Sequence, residues 1–325
     1  MSTRVATLCR CEAYAAVTEA AALASGRWLG RGDVEGAEQA AATAMRDGLE
    51  KVEIEGRIVV GSDVDDDPLE IGSTVGHGGE AVDLAVDPLE GRAVVARGDY
   101  GAMAMIAVGE AGSFPSLPQM YMRKMAVGPV ARGHIDLGRP VAENVRAIAE
   151  AFGRNTQDIT TIVLDRPRHH DLIEEIRGAG ARIKLIQDGD VTASITAAIR
   201  GTNDHLAIGI GGARQALLSA AALRCLGGEL QAQLWPTTRG EIDAAHEQGI
   251  EDVNKVFTTE ELAPGEVIVA ATGVTNGDLL RGVRFLADSA RTHSIVMCTR
   301  HNWVRFIDGI HFFARERREE VRLLG

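Results

Sequence analysis

The stretch Val82-Asp83-Leu84-Ala85-Val86-Asp87-Pro88-Leu89-Glu90-Gly91 sets two carboxylates, Asp87 and Glu90, around a proline just past an apolar run. Val82 to Val86 reads as a short buried strand, and Pro88 with Gly91 as a tight turn at its end. Two acids on such a turn project into one small volume and repel each other. A hard divalent cation, Mg²⁺ or Mn²⁺, relieves that repulsion. The alternative is a surface turn whose acids merely cap a neighbouring element. Asp33, after Gly30-Arg31-Gly32, stands at a break between two helical stretches, where a helix-capping role is the simple reading. Gly61-Ser62-Asp63-Val64-Asp65-Asp66-Asp67-Pro68 crowds acids into one turn, which on its own reads as a solvated loop.

Cations gather further along the chain. Arg166-Pro167-Arg168-His169 places two guanidiniums in a loop after a predicted strand, and planar bidentate donors suit phosphate oxygens. Arg123 and Lys124 extend that phosphate pocket in an otherwise acidic chain. Gly209-Ile210-Gly211-Gly212, between a strand and a helix, has the shape of a phosphate cradle, because glycine lets backbone N–H groups approach an anion. It lacks the full dinucleotide fingerprint, and tight strand-to-helix packing explains the same glycines. Asp188 and Asp190 flank Gly189 at another strand end, where they accept from sugar hydroxyls or cap the next helix. His169-His170 reads as a loop pair rather than a metal site. Acids in the first part of the chain and cations in the next suit metal-assisted chemistry on a sugar phosphate.

The elements that must position these groups follow from pattern. An Ala-rich helix covers residues 9–29, a second covers Glu35 to Leu49, and Arg57 to Val60 is a strand. Ala102 to Val108 is another strand, Tyr121 to Pro129 a cationic strand ending in a turn, and Val141 to Phe152 a helix. From Thr160 strand, loop and helix alternate. Strands fall at Thr161 to Leu164, Arg182 to Ile186 and Leu206 to Ile210, with helices at Asp171 to Arg177, Val191 to Ile199 and Arg214 to Leu226. That alternation predicts a layered α/β fold with its ligand site at the C-terminal ends of the strands. Residues 235–263 read as irregular apart from a short helix at Glu241 to Gly249. Val267 to Thr272 is a strand, Ser294 to Phe313 contains two more, and 315–322 is a solvated terminus. We expect an N-terminal metal-site region over 1–150 and a C-terminal sugar-phosphate-binding region over 151–325, closely packed as one unit.

Composition narrows the possibilities. The 325 residues are 45% hydrophobic and 25% charged, ordinary for a globular chain with ample sequence for a core. With aromatics at only 4%, that core must be built from Ala, Val, Ile and Leu. A formal charge of −12 argues against a nucleic-acid partner but not against a small anionic ligand, since a metal or local patch reverses the field. Cys9, Cys11, Cys225 and Cys298 show no zinc-type spacing and read as buried thiols of a cytoplasmic protein. There is no targeting signal and no 18-residue apolar span, so no membrane partner is expected.

The chain resembles the class II fructose-1,6-bisphosphatases, some of which also act on sedoheptulose-1,7-bisphosphate. The shared stretches run nearly end to end: Trp28 to Asp33, Val82 to Gly91, Met120-Tyr121-Met122, Val127-Gly128-Pro129, Pro167-Arg168-His169, Asp188 to Val191, Gly209 to Ala213 and Ala271-Thr272-Gly273. The resemblance implies alternating layers of helix and sheet, as in the wider group of Mg²⁺-dependent, lithium-sensitive sugar and inositol phosphatases. It also implies hydrolysis of the 1-phosphate by metal-activated water, with Mg²⁺ or Mn²⁺, in a dimer or tetramer. Asp33, Asp87 and Glu90 match family metal ligands. Tyr121, Arg166, Arg168, Asp188 and Asp190 match positions that contact the sugar phosphate, and Gly212 lies in the matching glycine loop.

Three departures bear on mechanism. Where the family carries Gly-Glu-Gly-Glu this chain has Gly61-Ser62-Asp63, so Asp63 or Asp65 must substitute with a shorter reach. Where a family Thr helps orient the attacking water stands Arg92, and where Gly-Gly-Ala-Pro-Glu-Gly supplies a metal carboxylate stands Gln215, preceded by Arg214. If all four side chains point inward, the site becomes more positive by up to about four charge units, and a second cation about 4 Å from the first binds much more weakly. These departures imply one metal at Asp33, Asp87 and Glu90, with Arg92 or Arg214 taking over part of the phosphate neutralisation. The expected activity is hydrolysis of a sugar phosphate monoester, the alternative a catalytically impaired paralogue that binds a sugar phosphate in a regulatory or assembly role.

Overall fold

The computed structural model describes residues 10–313. Cys9 and the charged stretch 315–322 lie outside the described residues. The chain opens with α1 (Cys11–Gly26), α2 (Val34–Leu49), β1 (Ile54–Val60), β2 (Thr74–Val75), β3 (Glu80–Glu90), α3 (Arg92–Arg97) and β4 (Met103–Glu110). Next come β5 (Tyr121–Val127), α4 (Val141–Phe152), β6 (Thr160–Leu164), α5 (His170–Gly178), β7 (Arg182–Ile186), α6 (Asp190–Ala198), β8 (Leu206–Gly212) and α7 (Ala213–Leu226). They are followed by β9 (Glu229–Leu234), α8 (Arg239–Glu247), β10 (Val256–Thr258), α9 (Thr259–Leu262), β11 (Ile268–Gly273), β12 (Arg284–Phe285), β13 (Ser289–Cys298) and β14 (Trp303–Phe312).

These elements build two mixed sheets. One runs β12-β13-β11-β4-β3-β1-β2 with β14 added on β13, the other β10-β9-β5-β8-β6-β7. The Ala- and Leu-rich α7 and the small-residue helix α6 fill the space between them, packed on Met103 and Met105 from one side and on Met122 and Leu230 from the other. Helices α1 and α2 cover the outer face of the first sheet, and α4 and α5 the outer face of the second. The result is five alternating layers, as expected. Because helices lie on both faces, β4 is buried along almost its whole length and reads as a continuous apolar run rather than an alternating one.

The sheets do not follow the halves of the chain. β5 lies in the second sheet although it precedes residue 150, and β11 to β14 return to the first. Residues of both sheets contribute to one hydrophobic core.

The strand at Val82 to Val86 is longer than its pattern implied. β3 runs on through Asp87 and Pro88 to Glu90, and the pairing with β4 slips between Asp87 and Glu90. The expected tight turn is thus a β-bulge. Pro88 sits inside it, where a missing N–H removes no ladder bond. Gly91, at φ 87°, then starts α3 in a backbone conformation open to glycine.

Candidate functional site

Where the ends of the two sheets meet, a cleft of about 990 Å³ opens. The β3 bulge supplies Asp87 and Glu90, and the start of α3 supplies Arg92. The segments after β6 and β7 supply Arg166, Arg168, Asp188 and Asp190, while the β8–α7 junction supplies Gly212, Arg214 and Gln215. Tyr121 at the head of β5 and Asp63 of the acid turn also line it. Residues scattered across the sequence are brought together because most follow or end a strand on the same side of its sheet, while Tyr121 begins β5, which runs antiparallel to β8 and so puts its start beside Gly212.

Glu90 is buried, and both its oxygens are engaged: one accepts from the Val191 N–H at 2.7 Å, the other from the Thr192 hydroxyl at 3.0 Å. It thereby ties the bulge of the first sheet to the first turn of α6, whose N-terminal N–H groups favour a carboxylate. Burial, then repulsion from Asp190 and Asp87, pushes its pKa well above the usual carboxylate range. Asp87 accepts from Gln215 Nε2 and from the Leu89 N–H, both at 3.3 Å. Its carboxyl is pushed up to about 6, first by burial and then by the charges of Glu38 and Asp188. Burial also raises the Asp188 pKa.

The cations are held as firmly. Lys124, buried, pairs with Asp190, and both fit only because Gly211 has no side chain: a Cβ there would lie 1.9 Å from an Asp190 oxygen. Arg168 donates to the Ile210 carbonyl at 2.8 and 3.2 Å, and its guanidinium lies 4.8 Å from the centre of the Tyr121 ring. Arg166 donates to the carbonyls of Asp165 and Gln187. Behind them His169 is a buried strut: its Nδ1–H donates to the Leu164 carbonyl at 2.7 Å and its Nε2 accepts from the Ile210 N–H at 2.8 Å. Burial lowers its pKa and keeps it neutral. His169 thus links the end of β6 to β8 rather than sitting in a loop.

Not every expected residue reaches the cleft. Asp33 caps α2, accepting from the Gly36 N–H at 2.8 Å, and neither Asp33 nor Asp65 is in the cleft wall. Arg123 points away from Lys124, as neighbours on a strand do, and donates to the Leu137 carbonyl. From α2 it is Glu35 and Glu38 that line the cleft. Both lie on an ordinary amphipathic helix, and nothing in their spacing marks them. The feared gain of positive charge is also smaller than side-chain types alone imply. Arg92 pairs with Glu38, and Arg214 lies 3.4 Å from Asp63 while donating to the Gly61 carbonyl at 2.8 Å. Each new arginine thus meets an acid.

The donor set fits a hard divalent cation. Among the described residues neither Asp87 nor Glu90 forms a close ion pair, and Arg92 acts on Asp87 only at longer range. Oxygen-rich and next to a cation-lined wall, the cleft offers donors of the type hard divalent cations take.

Comparison with known proteins points the same way. The family model for bacterial fructose-1,6-bisphosphatase, glpX-encoded, matches residues 11–311. A D-fructose 1,6-bisphosphatase class 2/sedoheptulose 1,7-bisphosphatase of Microcystis aeruginosa is 40% identical, covering 94% of this chain and 97% of its own. A protein of the same description from Synechococcus sp. (strain JA-3-3Ab) is 43% identical, covering 91% of this chain and 93% of its own.

Proposed function

The chain belongs to the family of glpX-encoded bacterial fructose-1,6-bisphosphatases, and from that premise we propose that it hydrolyses the 1-phosphate of fructose-1,6-bisphosphate or sedoheptulose-1,7-bisphosphate. The observation that carries the reading is the unpaired couple Asp87 and Glu90 facing a wall of guanidiniums across one cleft.

Asp87 and Glu90 would hold Mg²⁺ or Mn²⁺, with the Gln215 carbonyl oxygen as a neutral third donor. When bound there, such an ion would supply Lewis-acid polarisation of a phosphoryl oxygen and a water of lowered pKa. The protein's own groups do the rest. Arg168 and Arg166 present bidentate donors to phosphate oxygens, and the carbonyls of Ile210 and Gln187 hold them in place. Tyr121, flat beneath Arg168, limits where that guanidinium can turn. Asp188 and the Lys124–Asp190 pair suit sugar hydroxyls, which donate to the acids and accept from the amine. Beyond Ala213, whose N–H donates to the Met120 carbonyl at 2.9 Å, the first-turn N–H groups of α7 offer a further anion contact. Arg92, over half exposed at the cleft mouth, is placed to neutralise phosphate charge. Asp63, held by Arg214, and Asp65 would act on water or a second cation only after rearrangement.

Two further features follow from this reading. The outward row Val304, Phe306, Ile310 and Phe312 on the edge strand β14 supports a homo-oligomer, because an exposed apolar edge invites pairing. Charged sugar bisphosphates do not cross membranes, which supports a cytoplasmic setting; among the described residues no helix is long and apolar enough to span one.

The test is phosphate release from both bisphosphates and from sugar monophosphates with Mg²⁺ and with Mn²⁺. Turnover on a bisphosphate that is abolished by chelator and by Asp87→Asn is expected. Failure on every substrate by protein that binds them would overturn the assignment. Recovery on restoring Arg92→Thr and Gln215→Glu together would locate the cause.

A further inference from the structure

Away from the cleft, the start of α1 meets the turn joining β13 to β14. Cys11 is the first residue of α1, Cys298 the last of β13, and His301 lies in the turn before β14. Their ligand atoms all fall within 4.8 Å of one another, and Cys298 Sγ is 3.2 Å from His301 Nδ1. Both cysteines are 1% exposed, while His301 is only partly covered. None of the three lines the cleft. The sequence pattern hid this group, because Cys11 and Cys298 are far apart in the chain and the spacing Cys298-Thr299-Arg300-His301 has no second half nearby.

We propose that Cys11, Cys298 and His301 form a site for a thiophilic transition-metal ion of the Zn²⁺ class, which staples the start of α1 to the β13–β14 turn.

Geometry supports the assignment. Bond lengths of about 2.3 Å to sulfur and about 2.1 Å to nitrogen in a tetrahedron set donor atoms about 3.6–3.8 Å apart, so small side-chain rotations close these three onto one ion. The chemistry selects the metal. Thiolate and imidazole are soft donors that favour Zn²⁺ or Co²⁺, whereas Mg²⁺ and Mn²⁺ prefer the oxygen-lined cleft. Charge balances as well, since two thiolates and a neutral imidazole offset a divalent ion and leave no net charge in a buried setting. The first residue of a helix is a favourable place for a thiolate, because the helix dipole favours negative charge there. Binding displaces two thiol protons to solvent and requires no oxidant. One open position remains for water or a further donor. An ion here would link two segments nearly the whole chain apart, restricting the unfolded ensemble more than a short-range clip does.

The experiment uses the full chain, stripped with chelator under reductant and titrated with Co²⁺. We expect about one equivalent per chain to give a thiolate-to-cobalt charge-transfer band, displaced by Zn²⁺, with thermal unfolding shifted upward by Zn²⁺. Asp87→Asn and Cys225→Ser should keep the band. Cys298→Ser should abolish it, and His301→Ala should weaken Co²⁺ binding at least about tenfold. Because His301 is partly exposed, its variant carries the test if Cys298→Ser does not fold. No thiolate band in the wild-type chain, or an equal band in His301→Ala, would overturn the proposal. Phosphatase assays play no part in this readout, so it stands or falls apart from the catalytic assignment.

Discussion

Replacing Asp87 by Asn should abolish turnover yet stabilise the metal-free protein. The wild-type carboxyl ionises at about 6 in the folded chain instead of 3.8, because burial and the charges of Glu38 and Asp188 oppose its charged form. At about 1.4 kcal/mol per pH unit this amounts to about 3 kcal/mol, and about 2 kcal/mol after discounting for solvent in the open cleft. The sign follows from proton uptake. The folded chain holds this proton more tightly than the unfolded one, so the contribution to stability is full below 3.8 and is lost as pH rises through about 6. Asn carries no charge to bury, and the Gln215 amide, now 3.3 Å from a carboxylate oxygen, can rotate to pair with it. Urea melts in chelator should therefore show Asp87→Asn more stable than wild type by about 2 kcal/mol at pH 8, with the gap closing toward pH 4. Saturating Mg²⁺ should reverse the order, because only the wild type retains both carboxylates to bind it. A variant less stable than wild type at pH 8 in chelator, or a gap independent of pH, would refute the argument.

Other perturbations test single contacts. Arg168→Lys keeps the charge but loses the fork that holds the Ile210 carbonyl and covers Tyr121; KM should rise roughly 10- to 100-fold, for about 1.5–3 kcal/mol, with kcat changed less. Gly211→Ala drives a methyl into the Lys124–Asp190 pair and should lower stability by about 3 kcal/mol with loss of turnover; calorimetry showing wild-type stability would refute the packing argument. His169→Phe removes both imidazole bonds between β6 and β8 and should destabilise by about 2–4 kcal/mol. Because burial lowers the His169 pKa, wild-type stability from this group is present above 6.5 and lost as pH falls below it. That part of the acid slope should vanish in the Phe variant, as measured by melts between pH 5 and 7.

Much of the scaffold is legible from pattern, because its elements carry local signals. Val141 to Phe152 is apolar at helical spacing, Arg182 to Ile186 is bounded by glycine and polar turns, and both occur at those limits. The β3 bulge was not legible. Pro88 signals a break, but only pairing against β4 decides whether that break is a turn or a slipped register. Residues 235–263 read as irregular because β10 and α9 are too short to show a period, although Thr258 and Glu261 form a capping box there. In the site, residues flagged by glycine- or proline-marked strand ends, such as Arg168 and Asp188, reached the cleft. Glu38 was invisible because its partner Arg92 is distant in sequence, and pairing across elements leaves no trace in spacing. The Asp33 cap shows the converse: the simple local role describes its contact.

Arg92 and Arg214 differ in what their pairings allow. Arg92 and Glu38 are 57% and 40% exposed, so their contact is worth at most about 1 kcal/mol. A charged, bidentate phosphate contact is worth about 1.5–3 kcal/mol, so Arg92 gains by leaving Glu38 when a phosphate arrives. Arg214 is held differently. At 16% exposure it is bonded to the Gly61 carbonyl as well as to Asp63, and leaving would strand a half-buried carbonyl. Its Nε is already buried without a partner among the described residues, so its position is set by the surrounding packing rather than by full hydrogen-bonding. On the proposed function, Arg92 is thus the arginine available to substrate, while Arg214 holds the acid turn against the β8–α7 junction. On that proposal, of the two arginine charges only the one at Arg92 would be free to act on a phosphoryl group.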